Sequence, residues 1–186
     1  MKIFNQEEQG IIRRLLASDG FSRNFLNLID SRTLVGVRVL VDTKNLSARF
    51  WFESDGNSPS EAEFEYMFRR YKEISELVIL YLGLFRYLEH NDLAVSYTPA
   101  LSNPDEVVFG MGDVNRPFHE LTFIDKTIPR LIAEYYLKEI IPSHTLRILV
   151  ENDFVSEDEK RFQSQIKSTW TAIVVSIVIG VASIFY

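Results

Sequence analysis

The 186-residue chain contains no cysteine. That excludes structural disulfides, thiolate metal sites, CxxC redox pairs and cysteine nucleophiles, and is compatible with a reducing compartment. Histidine is scarce. His90, His119 and His144 form neither an HExxH nor an HxH pair, so the spacing of a histidine metal site is missing and no metal is expected. The 8 glycines never fall into a Rossmann or Walker A pattern, and GxSxG is absent. GMGDVN, residues 110–115, lacks both the third glycine and the Lys-Ser/Thr pair that would seat a phosphate. No cofactor is expected. The opening MKIFNQEEQGIIRRLL has no apolar core long enough for a secretory leader.

Excess positive charge is lacking too. The net charge is −6, unevenly spread. Residues 1–52 carry eight Lys/Arg against five Asp/Glu, residues 53–159 nine against 21, and residues 160–186 three against none. An acidic middle repels nucleic acid, and the N-terminal excess is too small to make a nucleic-acid footprint, so nucleic acid is not an expected partner.

What is present is apolar and aromatic. Hydrophobic residues make up 46% of the chain, with 14 Phe and 8 Tyr. That is enough to bury a core, and the chain length suits one domain with an appended helical part. Thr169 to Tyr186, TWTAIVVSIVIGVASIFY, is the one long run without a charged side chain. As a helix of 18 residues it would reach about 27 Å, close to the ~30 Å of a bilayer core. Trp170 and Tyr186 sit at its ends, where amphipathic rings favour the interfaces. Ala172, Ser176, Gly180 and Ser183 line one face with small side chains, a pattern that lets membrane helices approach closely and predicts homo-oligomer contacts through the tail. Lys160, Arg161 and Lys167 precede the run and agree with a cytosolic N-terminal side.

Ahead of that run the expected organisation is a soluble α+β domain over residues 1–155 and a juxtamembrane helix over 156–168 opened by Ser156 with Glu157, Asp158 and Glu159 in its first turn. Asn5 and Glu8 make a capping box for a first helix with Ile11, Ile12, Leu15 and Leu16 on one face. A short second helix follows, with Phe21, Phe25, Leu28 and Ile29. From Leu34 the period changes to two: Val35, Val37, Val39 and Val41, then a turn at 42–45, then Ala48, Phe50 and Phe52 predict a β-hairpin. Ser58, Pro59 and Glu61 signal a helix start. Behind them Phe64, Met67, Tyr71, Ile74, Val78, Tyr81, Phe85 and Leu88 alternate steps of three and four. Leu77 to Leu88 is apolar on nearly every face, which predicts a buried central helix rather than a free coiled coil, with Gly83 as a point of bending. Strands at 93–97 and 106–110 would form a second hairpin. Helix, tight turn, strand, loop, strand is the element order at the end of a winged-helix domain, an analogy of fold alone. Residues 110–123 read as an irregular loop. A helix is expected from Thr127 to Ile140, ended by Pro142, and a short helix or strand at 146–150.

The densest polar grouping lies in that loop. Asp113, Asn115, Arg116, His119 and Glu120 fall within eight residues, and a histidine beside carboxylates can act as a base or bind a ligand. Surface loops are polar for simpler reasons, so partner contact is the milder expectation. The composition therefore predicts a tail-anchored, single-pass membrane protein, its partner the lipid bilayer, whose cytosolic domain is a non-enzymatic sensing or protein-interaction module that binds a protein or a small ligand. Two alternatives are a membrane effector whose oligomerising tail perturbs the bilayer, and an enzyme with an unfamiliar site in loop 110–123.

Overall fold

The computed structural model describes residues 2–18, 22–29, 34–56, 58–99, 105–113, 115–123, 126–155, 160–162, 164–171 and 173. The chain starts as its capping signals dictate. Helix α1 (Gln6–Ala17) is closed by a full capping box: Asn5 Oδ1 accepts from Glu8 N at 2.9 Å, and Glu8 Oε2 accepts from Asn5 N at 3.0 Å. Ile11, Ile12 and Leu15 are buried. One short turn, α2 (Phe25–Leu28), is capped by Asn24.

The hairpin forms from β1 (Val37–Asp42) and β2 (Ser47–Glu53), with Val39 opposite Phe50 and Val41 opposite Ala48. The period-two reading holds: Val37, Val39, Val41, Ala48, Phe50 and Phe52 are all buried on one face. Val35 is the exception, at 58% exposed, because it precedes the strand and bridges Met111 instead. The Asp42 carboxylate closes the turn, accepting from the backbone N–H groups of Lys44 and Asn45. These bonds, led by that from Asn45, hold its carboxyl below the usual range.

Helix α3 (Glu61–His90) runs for 30 residues, about 45 Å, without interruption. Its cap is Ser60 with Glu63, two residues later than Ser58 with Glu61. The sequence repeats S-x-x-E at this spacing, and only the second copy completes the reciprocal bonds. From Ile74 onward the helix is buried on most sides: Ile74, Val78, Tyr81, Leu82, Leu84, Phe85 and Leu88 are buried, and Glu76, Ile79, Gly83 and Arg86 form one exposed strip, whereas Phe64 and Phe68 in its first turns stay exposed. Gly83 does not bend it into two.

The remaining elements are β3 (Ala94–Tyr97), β4 (Glu106–Gly110), β5 (Phe118–Phe123), α4 (Thr127–Tyr135), β6 (Glu139–Pro142) and α5 (His144–Glu151). They correct the expected second hairpin. β3 and β4 do not pair with each other. β4 joins β1, β3 joins β6, and the four-stranded antiparallel sheet has the order β4-β1-β2-β5. A winged-helix arrangement is thereby excluded for this segment, since the two strands that would make its wing belong to different sheets. The reason is burial: Val107 and Phe109 lie opposite Val41 and Val39 on the core face, which pairing with the exposed β3 ribbon would not offer. The expected loop 110–123 is half strand, because β5 completes the sheet beside β2. The expected helix 127–140 stops at Tyr135. Ile140 N donates to Arg23 O, and the Glu139 carboxylate accepts from Arg23 N, so residues 139–142 are held extended as β6. The sequence at 146–150 resolves to a helix.

Helices cover one face of the main sheet. Tyr71 of α3 meets Phe50 at 5.0 Å, Phe25 of α2 meets Phe109 at 5.9 Å, and α4 packs on β1 and β2. Tyr81 lies at the centre, edge-on to Phe25 and Phe85, with its hydroxyl donating to Leu28 O at 2.9 Å in a buried setting. Tyr136, equally buried, has a hydroxyl with no hydrogen-bond partner among the described residues. These two tyrosines give a paired prediction. Tyr81→Phe orphans the Leu28 carbonyl and should destabilise the domain by about 1–2 kcal/mol, while Tyr136→Phe removes an unmatched hydroxyl and should be neutral or stabilising. Gly83, with open space around its Cα, should accept alanine with a gain of about 0.5–1 kcal/mol in helix α3. Urea unfolding of the four proteins checks all three statements; equal losses in both tyrosine variants would contradict the first two.

Candidate functional site

The sequence places side chains alternately on the two faces of the main sheet. The face turned away from the helices carries Arg38, Arg49, Trp51, Glu53, Val108, Phe118 and Glu120. Trp51 stacks on Phe118 at 4.7 Å with the rings 22° apart, a close cross-strand aromatic contact beyond the directly opposed pairs. The indole Nε1 of Trp51 donates to Glu120 Oε2 at 2.9 Å, and Arg49 approaches the same oxygen at 3.7 Å. Phe118 remains 49% exposed and Val108 45%.

One end of this face is closed by the chain after β4. Gly110 has φ +111°, and a Cβ there would sit 2.3 Å from Val37 O. A Cβ at Gly112 would come within 2.8 Å of Arg38 Cγ. Both glycines are required by close approach, not by phosphate: Met111 N donates to Leu34 O and Gly112 N to Val37 O, so the GMG segment runs hard against β1. The stem of Arg38 is held beneath it. Arg38, Trp51, Glu53, Gly112, Asp113 and Phe118 line a small cleft of about 40 Å³, enough for a water or two and no more. Arg38 Nε is buried there without a hydrogen-bond partner among the described residues.

Four of the five residues singled out from the sequence gather around this cleft. Glu53 is the hub that the sequence did not single out. Its Oε1 accepts from Asp113 N at 2.6 Å, and its Oε2 faces Arg116 Nη1 at 3.5 Å. Asp113 Oδ1 accepts from Asn115 N at 2.9 Å, forming an Asx turn. Glu120 caps Trp51 on the neighbouring strand. His119 parts company with them. It lies opposite Phe52, on the helix side of the edge strand. Alternation separates His119 from Glu120 by a whole sheet, so the proposed histidine–carboxylate pairing does not assemble with the rest.

A second cluster escaped sequence reading because its members are spread from 89 to 138. The Tyr135 hydroxyl and the Ser96 hydroxyl both donate to the Glu89 carboxylate at close range. Lys138 Nζ stands 4.3 Å from the Tyr135 ring centre, 3.9 Å from Glu89 and 3.3 Å from Glu134. Ser, Tyr, Lys and Glu together resemble catalytic chemistry, but the proton affinity argues otherwise. Burial, then the bond to Glu89, raises the tyrosine far above its ordinary value, so it is a firm donor and not a base. The cluster clamps the β3–β6 ribbon and α4 to the end of α3. Among the described residues no grouping of His, Asp and Glu is placed to hold a metal ion. Compared with known proteins, the chain matches no family model, no curated relative and no solved structure.

Two outcomes follow. Gly110→Ala forces a Cβ into the Val37 carbonyl at a positive φ and should destabilise by several times the gain from Gly83→Ala, or prevent folding; equal and small effects on urea midpoints would refute the cradle. Tyr135 keeps its proton in the folded state beyond the pH at which the unfolded chain loses it. The stability it supplies is therefore full below about pH 10 and falls as pH rises above that. Tyr135→Phe should flatten the alkaline limb of a stability–pH curve while lowering the neutral plateau by about 1–2 kcal/mol; an unchanged alkaline limb would contradict the assignment.

Proposed function

We propose that the chain is a membrane-tethered, non-enzymatic interaction module. The observation that carries this is the charge-free run Thr169 to Tyr186 directly behind a domain with its own buried core. Within the described residues no helix is long and apolar enough to cross a membrane, and most of the run, including Ala172, Ser176, Gly180 and Ser183, lies outside them. The tether and its self-association therefore rest on the sequence: a spanning helix of 18 residues, with the small-residue face offering a contact for a second copy.

The partner of the domain, on this reading, is a protein that docks on the outer sheet face. Exposed Phe118 stacked on half-buried Trp51 supplies a rigid aromatic pair, and Arg49, Glu53, Asp113, Arg116 and Glu120 surround it with charged groups. Aromatic anchors inside a polar rim are the usual make-up of a protein-binding hot spot. Asp113, Asn115 and Arg116 act as contact residues held in place by Glu53, and His119 is left out of the surface.

Alkaline carbonate extraction tests the tether. The full chain should stay with the membrane fraction, and a chain ending before Thr169 should move to the soluble fraction with its domain folded. Release of the full chain would end the reading. Externally added protease should leave the domain intact in sealed cells; its digestion would reverse the cytosolic orientation. A photo-cross-linker at Phe118 should give adducts that Trp51→Ala abolishes, while one at Phe64, on the far helix, should not respond.

A further inference from the structure

The helical residues 160–162 and 164–171, with Ile173 beyond them, carry a second apolar feature that the core does not use. Phe162, Ile166, Trp170 and Ile173 are spaced by four, four and three. At ~100° per residue they fall within an arc of roughly 80° on one side of the helix. Each is open to solvent, at 61%, 40%, 63% and 43% exposure. Lys160 and Lys167 project at about 100–120° from the middle of that stripe, and the far side holds Ser164, Ser168 and Thr171. The hydroxyls of Thr169 and Thr171, which adjoin the apolar run, donate back to Gln165 O and Lys167 O at 2.9 Å each, so they are satisfied inside the helix. Residues 160–173 hold three cations and no carboxylate.

We infer that residues 160–173 form an interfacial helix that lies in the plane of a lipid leaflet, its occupant the acyl–headgroup boundary of an anionic bilayer. This rests on the tether proposed above but changes its form: with Thr169 to Ile173 in plane, residues 174–186 are left to enter the bilayer, 13 residues or about 20 Å as a helix, so the tail is held by insertion and not by an upright 18-residue span. An upright helix has no use for a one-sided stripe, since every face meets the same depth of solvent or lipid. A helix lying flat needs one: the stripe sinks, and Lys167, about a right angle away, reaches up to the headgroups, while Lys160 donates back to Asn152 of the domain. Charge complementarity selects the leaflet, since cations beside an anionic surface are attracted to it. In the sequence the acidic triplet Glu157, Asp158 and Glu159 comes immediately before residues 160–173, so the sign of charge reverses at Lys160.

The absence of cysteine makes the test direct. Single cysteines placed at positions 161 to 173 of the full chain and spin-labelled report depth one at a time, in vesicles of phosphatidylcholine with phosphatidylserine. Immersion should oscillate with a helical period, several-fold greater at 162, 166, 170 and 173 than at 164, 168 and 171. Phe162→Gln with Ile166→Gln should erase the oscillation while the chain still floats with the vesicles. A chain that floats but whose immersion rises steadily toward 173, or is flat, overturns the in-plane helix and leaves the tether standing. A chain that does not float overturns both.

Discussion

One helix segment that must be covered on most of its sides governs this fold. From Ile74 to Leu88, α3 buries apolar side chains over most of its circumference and leaves only the strip Glu76, Ile79, Gly83 and Arg86 exposed; each apolar side chain buried contributes about 1.5–3 kcal/mol relative to exposure. No single neighbour can cover such a segment. Helix α1 takes one side through Ile11, Ile12 and Leu15, α4 another through Ile128 and Ile132, and the strand that follows α3 returns along it. Rings set the spacing: Phe25, Tyr81, Phe85 and Tyr135 form a chain of contacts between 6.0 and 6.4 Å that crosses the core from α2 to α4. The first half of α3 lacks this demand. It holds itself by capping, by the Arg70–Glu73 pair and by one side only, Met67 and Tyr71, laid against the sheet.

The same demand explains why one face of the sheet is left open. All the helical cover is committed to α3 and to the inner row of Val39, Val41, Phe50 and Phe52. The outer row has to be soluble on its own, and it achieves this by satisfying its polar groups across strands, as with Trp51 to Glu120, while retaining exposed carbon at Val108 and Phe118. A surface of that kind is rigid because its side chains stand on paired strands, and it is apolar enough to bind. The two carboxylates that tie the smaller ribbon down, Glu89 and Glu139, work differently. Each accepts hydrogen bonds from other elements and so helps fix how the ribbon sits against them.

Legibility in the sequence followed the strength of local signals. Asn5 with Glu8, the alternation from Val37 to Phe52 and the buried half of α3 could all be read, since each repeats one periodicity over many residues or closes a reciprocal bond pair. Short runs failed. Ala94–Tyr97, Glu106–Gly110 and Glu139–Pro142 each offer four or five residues, too few to name a partner, and their pairings depend on burial at positions far away in the chain. The candidate loop was legible as a concentration of polar residues but not as a geometry. Strand β5 divides it, sending His119 and Glu120 to opposite faces, and its organiser, Glu53, lies some 60 residues earlier. The glycines at 110 and 112 were visible as a pattern. Their cause, the backbone of β1 pressed against them, was not.

Charge then links the domain to its proposed place. Residues 53–159 are strongly acidic, whereas 160–173 are basic, and the boundary falls between the acidic triplet 157–159 and Lys160. Near an anionic leaflet the second region is attracted and the first repelled, over a range of about 8 Å at physiological ionic strength. A domain tethered by 160–173 would be pushed off the surface by its own charge rather than lying down on it. Phe118, which would otherwise partition to a lipid interface as aromatic side chains do, is on that proposed placement held away from the leaflet together with the half-buried Trp51 stacked on it. On the same placement, the outer sheet face is offered to a partner in water rather than to the bilayer.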